Sequence, residues 1–336
     1  MLTRRGGPEV LETVDLPLRE PGSGEVRVRV LACGVGATDI TMRRGYYPYA
    51  PKIPFVQGYD VVGVVDAVGA DVTHLASGDK VGALSVHGGY AEFIYRDAAE
   101  FVPVPPGLDD AEVVALILNY VTAYQMIHRV ARQSPGETAL VTGANGGVGQ
   151  ALLELLAVAG VRAYAAASAR NHDLVRSLGA IPIESRGQGI DKNLREVAPE
   201  GVDVTYDALG GRFVAQCLRA TRRGGRVVAY GFAGATGSKG GPSALRVAGG
   251  FVDLFVRAPF IGRRASFYGI TALYRKDPAP FLQDLSKLFD LLTRGLIHPI
   301  IAARLPLLEA RRANELLEGG GFSGKIVLVG DLPDDG

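Results

Sequence analysis

Apolar and charged residues alternate between Glu25 and Leu31, which is typical of a strand with one buried face. Residues 61–68 form a nearly continuous apolar run, which predicts a second, more deeply buried strand. Further short strands are predicted beside glycine turns or prolines at 78–82, 88–93 and 102–106. Many short strands joined by glycine turns predict a small, barrel-like β domain in the first third of the chain.

The spacing of apolar residues becomes helical after Asp109, where acidic residues predict a helix start and residues 113–132 carry two helical stretches. Short apolar runs then alternate with helical segments. Strands are predicted at 140–142, 161–167, 181–183, 202–206 and 226–230, and helices after residue 148 and at 174–178 and 213–221. Regular alternation of strand and helix predicts a doubly wound parallel sheet.

The last third of the chain carries a less regular pattern. A glycine- and serine-rich stretch at 236–250 predicts a loop. Residues 251–261 are apolar and predict a helix that packs in the core or forms a lid, with a membrane-touching helix as the alternative. A strand is predicted at 265–271, helices at 281–295 and 307–317, and a last strand at 326–329.

Residues 139–149, Ala-Leu-Val-Thr-Gly-Ala-Asn-Gly-Gly-Val-Gly, place a glycine-rich turn between a buried strand and a helix. This order of strand, turn and helix is the fingerprint of dinucleotide binding. Glycine is needed because a Cβ would keep the backbone away from the pyrophosphate, whose charge lies at the helix N-terminus. The predicted cofactor-binding residues of the turn are Ala144, Gly146, Gly147, Val148 and Gly149.

The end of the next predicted strand indicates which dinucleotide is bound. An NAD site usually has Asp or Glu about 20 residues after the fingerprint, but here the strand ends in Ser168-Ala169-Arg170-Asn171. A hydroxyl and a guanidinium suit the 2′-phosphate of NADPH, which Arg grips through two hydrogen bonds. We therefore predict NADPH as the cofactor, held by Ser168 and Arg170, with Arg186 as a second cation.

Composition sets broad limits. The chain has 336 residues, which suggests two domains, and a net charge of +1, which does not favour a nucleic-acid partner. Two cysteines, Cys33 and Cys217, are too few for a disulfide framework and fit a reducing cytoplasm. The N-terminus lacks the apolar core of a signal peptide and no run of 18 apolar residues occurs, so we expect a cytoplasmic protein without a membrane span.

Several short motifs, in a fixed order, carry a resemblance to a known family. They are Gly6-Gly7-Pro8-Glu9-Val10-Leu11, Ala32-Cys33-Gly34-Val35, Gly58-Tyr59-Asp60-Val61-Val62-Gly63, Gly78-Asp79-Lys80-Val81, Gly89-Tyr90-Ala91-Glu92, Asn119-Tyr120-Val121-Thr122, Asp207-Ala208-Leu209-Gly210-Gly211, Gly224-Gly225-Arg226-Val227 and Gly324-Lys325-Ile326-Val327. Over nearly its whole length the chain resembles the medium-chain dehydrogenase/reductase superfamily. Within it, the chain is most similar to the zinc-free quinone oxidoreductases, especially the vesicle amine transport protein-1 homologues.

The resemblance implies a mainly β, GroES-like catalytic domain formed by residues 1–118 and 264–336, with a Rossmann dinucleotide-binding domain inserted at 119–263. It implies a homodimer that joins nucleotide domains edge to edge through the strand at 265–271. It also implies further cofactor-binding residues: Thr122, Gly231 and Phe232 near the nicotinamide, and Lys325 near the pyrophosphate.

Zinc alcohol dehydrogenases of this superfamily polarise their substrate with a metal. The positions that match two of their ligands are here Gly36 and Tyr59, and no cysteine lies near Asn119. The four-cysteine structural zinc lobe is missing, and the five histidines show no ligand spacing. We therefore predict no metal site.

Without a metal, hydride transfer to an electron-poor acceptor is the expected reaction. A quinone or an α,β-unsaturated carbonyl accepts hydride at carbon and leaves negative charge on oxygen, which needs hydrogen-bond donors and a proton. Tyr59 occupies the family's metal-ligand position and is the first donor candidate. Tyr46, on the loop after Asp39, and Tyr120 are further catalytic candidates.

The sequence thus predicts a zinc-independent, NADPH-dependent reductase of a small quinone or conjugated carbonyl. Two alternatives stay open. The first is an enoyl-thioester reductase of the polyketide type, for which a basic rim would bind the carrier arm. The second is a protein that binds NADPH mainly as a structural ligand and interacts with lipid or membrane.

Overall fold

The computed structural model describes residues 1–185, 187–235 and 243–330. The chain divides into two compact units. A β-rich unit contains Met1–Val121 and the described part of Asp277–Gly336, and a doubly wound unit contains the described part of Thr122–Lys276.

The described strands alternate with helices only in the middle of the chain. The strands are β1 (Glu25–Val35), β2 (Val61–Val68), β3 (Lys80–Ala83), β4 (Phe93–Asp97), β5 (Val102–Pro103), β6 (Thr138–Thr142), β7 (Arg162–Ala167), β8 (Ile181–Glu184), β9 (Val202–Asp207), β10 (Thr221–Ala229), β11 (Arg264–Phe267), β12 (Ile301–Pro306) and β13 (Lys325–Val329). The α-helices are α1 (Ala37–Arg43), α2 (Asp110–Ala115), α3 (Val121–Gln125), α4 (Gly147–Val158), α5 (His172–Ser177), α6 (Ile190–Val197), α7 (Phe213–Ala220), α8 (Ala244–Val252), α9 (Ala258–Phe260), α10 (Ile270–Lys276), α11 (Ala279–Thr293) and α12 (Ala310–Gly319).

Two helical runs contain π turns. Leu116–Tyr120 and Met126–Ala131 are π-helical and join α2 and α3 into one run from residue 110 to 131. Asp253–Arg257 joins α8 to α9 in the same way. Asp109 starts the first run, because its carboxylate accepts the backbone N–H groups of Ala111 and Glu112.

The sheet of the β-rich unit is built around β1. The strand order is β12-β13-β1-β2-β3-β5, and β4 also pairs with β1. The alternation in β1 buries Val26, Val28 and Val30, which pack into one core with residues such as Ile94 and Leu305. The half-buried strand predicted from the sequence is therefore present, and its apolar face forms the core of this unit.

All strand pairs in the second sheet are parallel, in the order β11-β10-β9-β6-β7-β8. Leu140 and Val141 of β6 are both buried, as expected for a parallel strand that is covered on both faces. The chain runs outward from β6 through β7 to β8, and then returns to the other side of β6 for β9. The predicted doubly wound sheet is confirmed, and its direction reverses between β6 and β9, where such sheets bind their ligands.

Several local expectations were wrong. Residues 244–250 are helical (α8) rather than a loop, while residues 236–242 of that predicted loop lie outside the described residues. By contrast, the glycine turn at 88–93 does lead into a strand as predicted, and that strand, β4, begins at Phe93. The sequence reading also missed α6 and β12; α6 is short and largely polar, with Ile190 and Leu194 as its buried apolar residues.

The second domain boundary lies later in the chain than predicted. The prediction gave residues 264–276 to the catalytic domain, but β11 pairs with β10 and so extends the doubly wound sheet. The strand predicted at 265–271 ends at Phe267, and α10 begins at Ile270. The hydrogen bonds between β11 and β10 place residues 264–267 in the doubly wound unit. Composition alone does not encode such pairing.

The apolar stretch 251–261 is helical and has two different faces. Leu254 and Ala258 are buried against α7 and β10 in one hydrophobic cluster. Phe255 is half exposed, and Phe260 is 87% exposed. Core packing therefore accounts for one side of this helix only. Within the described parts of the chain, no helix has the length and apolar character that a bilayer-spanning helix needs.

Candidate active site

The glycine turn between β6 and α4 has the geometry of a phosphate cradle. Gly146 caps α4 without any side-chain cap, so the first-turn N–H groups of the helix have no side-chain acceptor there. A Cβ at Gly149 would overlap the carbonyl oxygen of Gly143, so glycine is needed for α4 to start this close to β6. Ala144 is buried below the turn. The N-terminus of α4 is therefore open to an anionic group such as a pyrophosphate.

Asp207 holds the loop next to this turn, and sequence reasoning did not assign it a role. Its buried carboxylate accepts the Thr142 hydroxyl at 2.9 Å and the backbone N–H groups of Leu209 and Gly210 at 2.9 and 3.1 Å. Burial raises the pKa of Asp207, and these hydrogen bonds oppose that shift. The carboxylate thus ties the end of β6 to the end of β9 at the reversal point. In the sequence, Asp207 directly follows a predicted strand, and that position could have indicated a role at this edge of the sheet.

The end of β7 carries the predicted 2′-phosphate site. Ser168 caps the 3₁₀ turn Ala169–Asn171, and the amide of Asn171 lies 3.4 Å from the Ser168 hydroxyl. Arg170 is exposed and has no hydrogen bond or ion pair with any described residue. Parallel register places the end of β7 beside the end of β6, so Ser168 and Arg170 lie at the same sheet edge as the glycine turn. Arg186 lies outside the described residues.

The predicted nicotinamide residues lie in helix α3 and in the loop after β10, both in the doubly wound unit. Thr122 is buried in α3. A Cβ at Gly231 would overlap the carbonyl oxygen of Ala208, so the loops after β9 and β10 approach closely there. The ring of Phe232 stacks on Phe267, with centroids 5.1 Å apart.

Tyr59 lies in the β-rich unit, and its phenol has a phenol partner. The side chain is 1% exposed, and its Oη lies 2.6 Å from the Oη of Tyr47, which is half buried. The two rings meet edge to face with centroids 6.0 Å apart, and Tyr49 meets Tyr47 similarly at 5.8 Å. The loop that carries the predicted candidate Tyr46 therefore supplies a direct partner of Tyr59, but that partner is Tyr47.

The other two predicted catalytic tyrosines differ in their exposure. Tyr46 is 48% exposed on the same loop. Tyr120 is buried in the π turn Leu116–Tyr120, close in sequence to Asn119, which is also buried. The structure thus brings Tyr59 and Tyr47 into contact.

Asp39 fixes the two chain segments on which the Tyr59 site depends. Its buried carboxylate accepts the N–H of Gly36 at 2.9 Å and that of Gly58 at 3.4 Å. Gln57 donates its amide to the backbone oxygen of Asp39 at 2.8 Å. Burial raises the pKa of Asp39 to about 6, opposed mainly by the Gly36 hydrogen bond. Asp39 therefore ties the start of α1 to Gln57 and Gly58, which immediately precede Tyr59.

Lys325, which is predicted to lie near the pyrophosphate, forms a buried ion pair. Its Nζ is 2.8 Å from Oδ2 of Asp60, and the two side chains are 4% and 0% exposed. Burial raises the pKa of Asp60, and the Lys325 ammonium opposes that shift. Its charge is thus already balanced by Asp60 within the β-rich unit. The role of Lys325 near the pyrophosphate stays a prediction, and the structure adds that the side chain is held by Asp60.

The two positions that match zinc ligands, Gly36 and Tyr59, carry few side-chain atoms that could bind a metal. A Cβ at Gly36 would meet only Leu118 and Asp39, at 3.8 and 4.0 Å, so no side chain fills that space from this position. Tyr59 is engaged with Tyr47. Across residues 1–185, 187–235 and 243–330, no group of three or more His, Cys, Asp or Glu side chains is placed to hold a metal ion.

Comparisons with known proteins agree with this architecture. The model of the alcohol dehydrogenase GroES-like domain matches residues 22–106, and that of zinc-binding dehydrogenase matches residues 178–328. Quinone oxidoreductase of Rattus norvegicus is 31% identical over 330 residues, which cover 96% of this chain and 95% of the relative. The synaptic vesicle membrane protein VAT-1 homolog of the same organism is 34% identical over 237 residues, 69% of this chain and 59% of the relative.

A solved structure extends the similarity to the whole fold. Escherichia coli quinone oxidoreductase complexed with NADPH superposes with a TM-score of 0.86 at 25% identity, over 98% of both chains. A GroES-like unit interrupted by a Rossmann unit is the architecture of the medium-chain dehydrogenase/reductase superfamily. Within that superfamily of oxidoreductases, the chain belongs to the quinone oxidoreductase family.

Proposed function

We propose that this protein is an NADPH-dependent reductase that transfers hydride to a quinone or an α,β-unsaturated carbonyl without a catalytic metal. The observation that carries the proposal is the shared sheet edge, where an uncapped helix N-terminus and a free arginine lie side by side. The first accepts a pyrophosphate and the second a 2′-phosphate. The NADPH complex of the Escherichia coli relative supports the same cofactor.

The residues of the doubly wound unit fit a dinucleotide. Gly146, Gly147, Val148 and Gly149 would hold the pyrophosphate through backbone N–H groups, with Ala144 packed beneath them. Ser168 and Arg170 would hold the 2′-phosphate, and Arg186 is proposed as a second cation. Thr122, Gly231 and Phe232 would border the nicotinamide. When bound, NADPH supplies the hydride.

The proton would come from the β-rich unit. We assign Tyr59 as the donor to the substrate oxygen, because its phenol is buried and already hydrogen-bonded to a second phenol. A donor held in one position stabilises developing negative charge without reorganising. Tyr47 is half buried on the loop, next to exposed Tyr46, so it is suited to return a proton to Tyr59 after each turnover. Tyr46 and Tyr120 remain secondary candidates.

The donor set supports the proposed zinc independence. Glycine and a hydrogen-bonded tyrosine occupy the ligand-matching positions, and a structural or catalytic zinc site needs three or four Cys, His or carboxylate ligands. An electron-poor quinone or enone accepts hydride without the polarisation that an alcohol substrate requires. We therefore propose electron-poor quinones and enones as the substrates.

A substrate panel tests the proposal directly. NADPH oxidation would be followed at the nicotinamide absorbance with a series of quinones, enones and enoyl thioesters, with and without a chelator. We expect turnover of quinones or enones that exceeds turnover of thioesters and is insensitive to chelation. Turnover only with thioesters would favour the carrier-bound alternative, and NADPH binding without turnover of any acceptor would favour the lipid-binding alternative.

Two further properties are proposed with the function. Cys33 and Cys217 are both free and buried, which suits the proposed cytoplasmic location. β11 is an edge strand of the doubly wound sheet, which suits the proposed homodimer, since such edges pair readily with another strand. Light scattering of the purified protein would test the dimer.

A further inference from the structure

A polar pocket lies in the doubly wound unit, and its lining residues are not those of the dinucleotide turn. It has a volume of about 510 Å³ and is lined by Gln188, Asp191, Lys192, Arg195, Arg219 and Arg263. None of these residues belongs to the glycine turn or to the end of β7. Arg219 lies just before β10 and Arg263 just before β11, so the pocket reaches the amino ends of strands whose carboxyl ends face the cofactor residues.

The pocket holds more positive than negative charge. Four of its lining side chains are cationic and one, Asp191, is a carboxylate. Asp191 is paired with Arg219, whose Nε lies 2.6 Å from Oδ2. Lys192, Arg195 and Arg263 have no carboxylate partner among the described residues. Three positive charges are therefore left for an outside anion.

The unpaired guanidinium groups are held in place by neutral groups. Arg195 donates to the backbone oxygens of Pro199 and, at 2.9 Å, of Arg219. Arg263 donates to the oxygens of Thr221 and Ile261 at 2.8 and 2.9 Å. Backbone carbonyls fix the orientation of these side chains but do not cancel their charge. The remaining guanidinium N–H groups are thus positioned for a further acceptor.

The cations of this cluster repel one another, and the effect falls on Arg263. Burial lowers the pKa of Arg263, and the charges of Arg195 and Arg223 lower it further. Arg223 lies alongside, with its side chain over Gly262. A bound dianion would relieve this repulsion.

Helix ends explain only part of the cluster. Arg195 and Arg219 lie in the last turns of α6 and α7, where a cation offsets the negative end of the helix dipole. Lys192 lies near the start of α6, where that effect disfavours a cation, and Arg263 lies in no helix. The helix dipole therefore does not explain why Lys192 and Arg263 are cations.

We propose that this pocket binds the phosphate group of a phosphorylated ligand, at a site separate from the cofactor. Proteins bind phosphate groups through arginine guanidinium groups, which can donate two parallel hydrogen bonds, and through lysine ammonium groups. The volume fits a small molecule rather than a lone phosphate ion. The ligand's source is either a soluble phosphate ester or a phospholipid headgroup, since the exposed Phe260 and Ile261 beside Arg263 would suit an acyl chain.

Calorimetry on the full chain saturated with NADPH tests the site, because the cofactor site is then occupied. Inorganic pyrophosphate is the soluble probe, and phosphatidylcholine vesicles with or without phosphatidylinositol 4-phosphate are the lipid probe. We expect one probe to bind, and its binding to weaken as salt is raised. Lys192→Gln should weaken it about tenfold, the size of one lost charge-assisted hydrogen bond.

Matched variants keep the result interpretable. Lys52→Gln, an exposed lysine of the other unit, should bind as the native protein does. Arg195→Lys should retain more binding than Arg195→Gln, with melting temperatures checked for both. Phe260→Ser should reduce vesicle binding only, which would identify lipid as the source. Absence of binding to both probes, or equal binding by the native, Lys192→Gln and Arg195→Gln proteins, would overturn the proposal while leaving the cofactor site untouched.

Discussion

Replacing Tyr59 by Phe tests the proton donor most directly. The substitution removes one oxygen and keeps the buried ring, so core packing around the site is preserved. The Tyr47 phenol loses its 2.6 Å partner, but Tyr47 is half buried and water can replace the lost bond. The expected cost in stability is therefore only about 1 kcal/mol.

The catalytic effect should be much larger than the effect on stability. Loss of a positioned acid or oxyanion donor lowers turnover by roughly 100-fold or more, which corresponds to about 2.7 kcal/mol of transition-state stabilisation. Enones should lose this much in the Phe variant. Quinones should lose less, because aromaticity already stabilises the oxyanion of their product. NADPH affinity should not change, since the cofactor residues lie in the other unit.

The assay needs conditions in which hydride transfer limits the rate, established by a kinetic isotope effect with deuterated NADPH. Tyr47→Phe leaves the Tyr59 hydroxyl in place and should reduce enone turnover by a smaller factor. Tyr95→Phe is the matched control, because it removes a phenol of the same unit that bonds to the backbone of the exposed residue Arg19 and not to Tyr59 or Tyr47. Unaltered enone turnover in Tyr59→Phe under these conditions would refute the assignment and move the role to Tyr46, Tyr120 or water.

Three further predictions follow from the same sites. Arg170→Ala should weaken NADPH binding by about 1–3 kcal/mol and barely change NADH binding, as measured by fluorescence titration; equal affinity of the native protein for both cofactors would contradict the 2′-phosphate assignment. Elemental analysis should find no stoichiometric zinc, and one zinc per chain at Tyr59 would refute metal independence. The Asp39 carboxyl binds its proton more tightly in the folded than in the unfolded chain, because its pKa rises from 3.8 to about 6. Its charge therefore opposes folding above that pKa, and this penalty of about 3 kcal/mol disappears as pH falls toward 4. Denaturant unfolding of native and Asp39→Asn proteins should show the Asn variant gaining relative stability from pH 4 to pH 8, and a pH-independent difference would refute the shift.

Much of the doubly wound unit was readable from local sequence. The run 139–149 encodes a strand, a turn and a helix start within eleven residues, and each is specified by near neighbours. The alternation in β1 and the short apolar runs of the parallel strands also carried their own signal, because burial on one or two faces selects side chains directly. Arg170 was identified by its place after a predicted strand, and it lies there.

The sites that depend on distant partners needed the tertiary structure. The ion pair between Asp60 and Lys325 joins residues 265 positions apart, and no local pattern distinguishes it from a lysine that binds phosphate. Which loop tyrosine contacts Tyr59 depends on the backbone path around Asp39. β11 joined the doubly wound sheet because its hydrogen-bond partner is β10, and the cationic pocket formed because α6, α7 and the start of β11 meet. Sequence periodicity reports which face of an element is buried, whereas only the packed chain decides which charges and hydroxyls become neighbours.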